Sequence, residues 1–434
     1  MAEQYDAIII GAGIIGASVG LELARRGWRT LNVDRLPAAG YGSTSASCAI
    51  IRSHYSTLDG TALAFEGYQY WRHWSEHLGV ADERGLARFE EVGCAVMKTS
   101  SNGYLKSICE NLDTLGILWE DWDNETLKKR LPIYDLRSFA PAKLPDNPGF
   151  GEATGPAIAG AAFMPQAGYI SDPQLATHNV QVAAEAAGAK FRFNTNVTKI
   201  RQVDNAVRGI TLANGDEIDA PVVVNVAGPH SAKVNEMAGV AQAMKIKTRA
   251  LRQEVVHLPS PDGFDYMTHG PVASDSDIAC YSRPEVGNHI LFGSEDPECD
   301  AREWADPDDY DTEFTAQWQT QAMRAGQRVP DLKIPNQAAG VVSLYDVTDD
   351  WIPIYDCSDL PGFYMAVGSS GNQFKNAPVA GAMMAELIIR CQDGHDHDAD
   401  PVRFDYLYTK RQANIGFFPR NREINLNSSF TVLG

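Results

Sequence analysis

The chain has 434 residues and a formal charge of −19, with 37 Lys and Arg against 56 Asp and Glu. At about 150 residues per domain this length suggests two or three domains with an ample core, and 44% hydrophobic with 21% charged residues is ordinary for a globular protein. The acidic balance excludes a nucleic-acid binder or a polybasic membrane anchor, which need Lys/Arg patches, and no apolar run approaches the roughly 20 residues of a membrane span.

In chain order, Tyr5 to Ile10 (YDAIII) reads as a strand buried on both faces, because it is nearly all apolar rather than alternating. GAGIIG at 11–16 follows, then ASVGLELARRG, a helix stopped by Gly27, and TLNVD at 30–34 is a second strand. Strand, glycine turn, helix and strand make a βαβ unit. Tryptophans 71 and 74 in YWRHW stand at helical spacing and are expected in the core, with Glu76 and His77 on a solvated face. An Ala-rich helix is predicted over 173–188, then strands KFRFNT, VTKIRQV, VRGITLAN and EIDAPVVVNVAG, with a hairpin turn at Asn214-Gly215. The texture changes over 245–340, where RQEVVHLP, IACYSRP and HILFGSE read as separate strands and TEFTAQWQTQAMRAG as a helix. GVVSLYD, GFYMAVG and a helix at 377–391 close the sequence pattern, and the acidic run DGHDHDAD at 393–400 is expected to be a solvated linker without metal.

The expected fold class is α/β, with α+β character in the second domain. Segments 1–90, 151–244 and 339–434 would form a discontinuous nucleotide-binding domain, and 91–150 with 245–338 an inserted antiparallel-sheet substrate domain. Cysteines 48, 94, 109, 280, 299, 357 and 391 are odd in number and scattered, without a CxxC pair, so neither a disulfide framework nor a zinc site is expected. Reduced thiols, and MAEQYDAIII without a basic n-region or cleavage site, point to the cytoplasm.

Gly11, Gly13 and Gly16 form GxGxxG. The first permits the tight turn, the second lets a pyrophosphate approach the backbone, and the third lets helix and strand pack closely. The helix N-terminus, with Ile14 and Ile15, offers free N–H groups and a positive dipole end to phosphate. Asp34 ends the next strand about 20 residues on, where a carboxylate can accept hydrogen bonds from a ribose hydroxyl. The unit is therefore expected to bind a dinucleotide.

Three later segments name which one. VVVNVAGPHS (222–231), GVVSLYDVTDDWIPI (340–354) and GSSGNQFKNAPVAGAMMAELI (368–388) resemble, in order, signatures of the D-amino-acid oxidase and sarcosine oxidase superfamily of FAD-dependent oxidoreductases. The resemblance implies a Rossmann-like FAD domain. Flavin contacts would come from Gly11, Gly13, Ile14, Ile15, Gly16, Asp34, Arg35, Ser43, Thr44, Ser45, Val197, Ala227, Gly228, Gly368, Ser370, Gly371, Asn372, Gln373, Phe374 and Lys375. GSTSASCAIIRSHYS (42–56) is similar to the sarcosine oxidase branch, including its β subunits and N-methyl amino acid oxidoreductases. There Arg52 matches the arginine, and Lys375 the lysine, that hold the substrate carboxylate; a planar fork and a point charge suit that anion. Arg52 also fits a structural ion pair and Lys375 a surface lysine. Tyr281 resembles a tyrosine over the substrate pocket and equally fits a core aromatic. Arg283 is read as an exposed hairpin arginine and His230 as packing near the cofactor.

Some positions depart from the family. Ser343 stands where a cysteine tethers flavin, so FAD is expected to be non-covalent. Leu291 replaces a lysine that promotes oxygen reactivity, and Ser45 and Ala49 replace a histidine and an arginine near the flavin. The electron acceptor is thus oxygen or another species. The resemblance implies oxidation of a C–N bond in an N-substituted or simple amino acid carrying a carboxylate. A 2-hydroxy acid substrate, or a flavin-binding subunit working with a partner, stays open, as does an oligomer.

Overall fold

The computed structural model describes residues 4–433. The predicted βαβ unit forms: β1 (Ala7–Ile10), helix α1 (Ile14–Arg25) and β2 (Thr30–Val33). Every residue of both strands is buried, the condition that makes a strand's sequence continuously apolar. Gly27 leaves the helix at φ +84°, a left-handed conformation that costs glycine no Cβ clash.

β1 lies inside a six-stranded sheet in the order Lys190–Arg192, β2, β1, Val222–Asn225, Phe363–Val367, Ile354–Cys357. All neighbours are parallel except the last pair. Ala7 pairs with both Thr30 and Val222, so segments far apart in the chain close one sheet around the glycine turn. Helices α1 and Ala377–Gln392 cover one face, and Gly381 backs onto Ser18 where a Cβ would collide. The hairpin at Asn214-Gly215 joins antiparallel strands Ala206–Leu212 and Glu217–Asp219.

The second unit is an eight-stranded sheet. Its order is Gly340–Thr348, Thr248–Pro259, His289–Ser294, Cys280–Glu285, Val272–Asp275, Cys94–Met97, Ala161–Met164, Glu120–Trp122. It is antiparallel except between Val272–Asp275 and Cys94–Met97. Helix Ala316–Arg328 packs Trp318, Ala322 and Ala325 on Val256 and Ile290. Strands Ala161–Met164 and Gly340–Thr348 lie in this sheet, so the second unit extends past the boundaries expected at 151 and 339. A buried antiparallel strand and a buried parallel one carry the same apolar text, and only their pairing tells them apart.

Other corrections concern polar residues. His77 is buried between Tyr70 and Trp74 rather than solvated. His397, in the expected linker, is buried; its Nδ1 accepts from the Val402 N–H, and its ring faces Asp356. Asp356, Cys357 and Asp398 converge there, and the Arg420 guanidinium bonds both carboxylates. Arg283 is buried, its Nη2 2.8 Å from Glu285 and its guanidinium 4.6 Å over the Tyr169 ring. A polar residue on the inner face of a strand is satisfied by neighbours that no local pattern announces. Trp71 and Trp74 are core residues, stacked 4.3 Å apart. Among the described residues no helix is long and apolar enough to cross a membrane.

Candidate active site

A cavity of 1220 Å³ opens where β1, β2 and Val222–Asn225 end, at Ile10-Gly11, Val33-Asp34 and Val226-Ala227. In open parallel sheets ligands bind outside these carboxyl ends.

At its sheet end the cavity wall is backbone. Gly11 has φ +119°, and a Cβ there would fall far inside contact with the Val226 carbonyl oxygen. A Cβ on Gly16 would strike the Gly11 carbonyl, so both positions exclude any side chain. Asn32 Nδ2 donates to the Gly11 and Gly16 carbonyls at 3.2 and 2.9 Å. Asp34 accepts from the N–H of Ala12 at 2.7 Å and of Leu36 at 2.9 Å, so its carboxylate fixes the turn as well as facing the cavity. Gly13 caps α1 without a side-chain bond, and the Ile14 N–H reaches only the Thr44 hydroxyl at 3.3 Å. The first turn of α1 therefore presents N–H groups to the cavity, with no acidic residue against them.

Ile15, Ser43, Ser45, Val197, Ala227 and Gly228 line the same wall. Ser43 Oγ donates to the Leu344 carbonyl at 2.7 Å and joins this wall to the second sheet. Arg35 pairs with Asp308, which also meets His230 Nε2 at 2.9 Å and Lys233 at 2.6 Å. These contacts, Lys233 first, hold the Asp308 carboxyl well below the usual range and tie the rim of one sheet domain to the other.

Gly371, Asn372, Gln373, Phe374 and Lys375 also face the cavity. Gly368 and Ser370 do not line it, contrary to expectation. They buttress the loop from behind: the Gly368 N–H donates to Asp346 Oδ2 at 2.6 Å, and Ser370 Oγ to the Gly368 carbonyl at 3.2 Å. Burial pushes the Asp346 carboxyl up to about 7, against the Gly368 N–H and Ser231, which lower it; Asp346 and Asn372 both line the cavity.

At the other end stand Arg52, His54, Tyr55 and Lys375. Arg52 and Lys375 are 7% and 2% exposed, and their charged heads lie 4.5 and 5.0 Å from the centroid of one ring, Tyr55. The structure thus joins two cations that sequence separates widely. Neither is a surface residue, and among the described residues no carboxylate pairs with either. Arg52 donates instead to the main-chain carbonyls of His54, Val432 (2.9 Å) and Leu433 (2.8 Å). Lys375 donates to the Asn372 carbonyl, and burial followed by Arg52 pulls its ammonium well below the usual range. Tyr281 lines the cavity with its hydroxyl 3.2 Å from Cys48 Sγ and 3.3 Å from the Tyr345 hydroxyl. Gly293 makes room for it, since a Cβ there would enter the ring.

His54, Tyr55, Tyr345, Asp346 and the 432–433 segment were not singled out by sequence. Tyr55 carried a faint signal, following Arg52 closely on a short strand exit. The tail carried none.

A backbone cradle at a helix N-terminus fits a dinucleotide diphosphate, and the polar side chains of Asp346 and Asn372 on the same cavity wall fit a heterocycle. Fold and site together define a dinucleotide-binding protein with a second, largely antiparallel sheet beside the parallel one. The family described as FAD dependent oxidoreductase (DAO) matches residues 6–387, and the chain belongs to it: this is an FAD-dependent oxidoreductase. Glycine oxidase of Geobacillus kaustophilus is 23% identical over 91% of this chain and 96% of its own. Human peroxisomal sarcosine oxidase is 24% identical over 91% and 94%. Among solved structures, L-proline dehydrogenase from P. horikoshii superposes with a TM-score of 0.73 at 22% identity, covering 90% of this chain and 95% of its own.

Proposed function

We propose that the protein oxidises the C–N bond of an N-substituted or simple amino acid. The observation that carries this is the pair of buried cations, Arg52 and Lys375, over the single ring of Tyr55. A carboxylate is a stronger acceptor for a guanidinium than an amide carbonyl, so a substrate carboxylate takes over bonds now made by Val432 and Leu433. It also supplies the counter-charge that Lys375 lacks among the described residues. FAD, when bound, supplies the two-electron acceptor for the hydride leaving the substrate carbon. The chain holds it through the backbone at 11–16, with Asp34, Ser43 to Ser45, Ala227-Gly228 and 371–375 along its length. Arg52 and Lys375 then fix the substrate by one end, and Tyr281 with Tyr345 walls the chamber. The product imine hydrolyses in water. The names of the relatives, glycine and sarcosine oxidases, support this substrate class.

The test is an anaerobic screen of N-methyl, cyclic and primary amino acids for bleaching of the flavin absorbance, followed by product assay. Bleaching with release of amine or ammonia is expected. Bleaching only by 2-hydroxy acids, or by nothing in either panel, overturns the reading.

A further inference from the structure

His54 lies beside the two cations and has no task in the reaction just described. It is 2% exposed and lines the cavity, and neither ring nitrogen has a hydrogen-bond partner. An unsatisfied buried polar atom destabilises the fold, and a ligand able to pair with it removes that penalty. Arg52 and Lys375 are donors only, whereas a neutral imidazole offers one N–H and one acceptor lone pair. Burial, then Arg52, then Lys375 hold the ring well below its usual range, so it is neutral near pH 7 with its lone pair available. Among the described residues no carboxylate acts on it.

An amino acid anchored by its carboxylate on Arg52 and Lys375 carries its amine one carbon away. That amine brings N–H donors toward a corner of the cavity where Arg52 and Lys375 are donors themselves. We propose that His54 accepts a hydrogen bond from the substrate amine, which makes it the residue that selects an amino carboxylate over a plain one. The ring keeps its neutral state throughout: its lone pair takes the N–H, and no proton is transferred to it. This rests on the carboxylate reading above.

The test compares two flat carboxylates of equal shape on the holoenzyme by titration calorimetry. Pyrrole-2-carboxylate presents a ring N–H, and furan-2-carboxylate an oxygen. The wild type is expected to prefer the pyrrole by about 10-fold or more, the effect of roughly one hydrogen bond. His54→Leu abolishes that preference while still binding the furan. His54→Asn, whose amide oxygen accepts, restores part of it and covers failure of the leucine variant to fold. Equal binding of the two probes to wild type, or a preference surviving in His54→Leu, overturns the role of His54 and leaves the cation pair standing. Binding of neither probe overturns the carboxylate reading, and this proposal with it.

Discussion

At the glycine end of the cavity the polar groups are main-chain N–H groups, and side chains are excluded by contact with Val226 and Gly11. At the far end they are the side chains of Arg52, His54 and Lys375, buried and partly unpaired. The first end spends little stability, since glycine reaches its conformations without strain and backbone N–H groups are satisfied by a phosphate. The second holds like charges and bare nitrogens together, which a folding chain on its own would avoid. Rigid main chain suits a cofactor that stays. Costly side chains suit a substrate that comes and goes, because the stored penalty becomes binding energy.

The largest effect is expected at Gly11. Gly11→Ala forces a Cβ into the Val226 carbonyl at a left-handed φ, and should cut FAD retention by about 100-fold or more or prevent folding, read from the ratio of flavin to protein absorbance. Full retention would mean that the cradle is not built as described. Next comes Arg52→Ala, which should weaken amino acid binding by roughly 100-fold while leaving FAD content unchanged, measured by anaerobic titration. Loss of FAD with intact substrate affinity would merge the two ends into one. Lys375→Met should weaken substrate binding by about 10-fold yet raise the melting temperature, because it removes a buried ammonium beside a like charge.

A smaller effect follows from Glu295, close behind the chamber, where its carboxylate accepts from Ser274, Ser276 and the Asp275 N–H. Burial pushes it up to about 7 from an ordinary 4.5. The folded form keeps the proton that the unfolded chain loses, so stability falls as pH rises through that window and levels above it. Glu295→Gln should therefore gain in melting temperature relative to wild type at pH 8, with the difference vanishing below pH 4.5. Least affected should be Ser343→Ala, with FAD content unchanged. Acid precipitation of the wild type should leave the flavin in the supernatant, as expected without a thiol at that position.

Much of the glycine end was legible, because its signal is local: an apolar run, GAGIIG and an acidic residue after the next strand all describe neighbours in space. The resemblance singled out Arg52 and Lys375, and the structure sets both on one cavity, but their burial without a carboxylate among the described residues was not legible. That depends on Tyr55, on the loop at 372 and on carbonyls at 432 and 433, which only the tertiary fold assembles. The errors at His77, Arg283 and His397 share one origin: a charged or polar residue reads as solvated until its partner is known. Gly368 and Ser370 show the reverse, since a glycine-rich loop next to a ligand uses some of its residues only to hold the others.

The carbonyls that hold Arg52 have a consequence for synthesis. Arg52 leaves the ribosome early, while Val432 and Leu433 follow some 380 residues later. Strands up to Val222–Asn225 suffice for the centre of the glycine cradle, so a growing chain can shape its cofactor end while the substrate end is still missing a wall. The chamber is therefore finished last, and a nascent or prematurely stopped chain that had already met its redox group would lack the completed enclosure needed to pass it electrons.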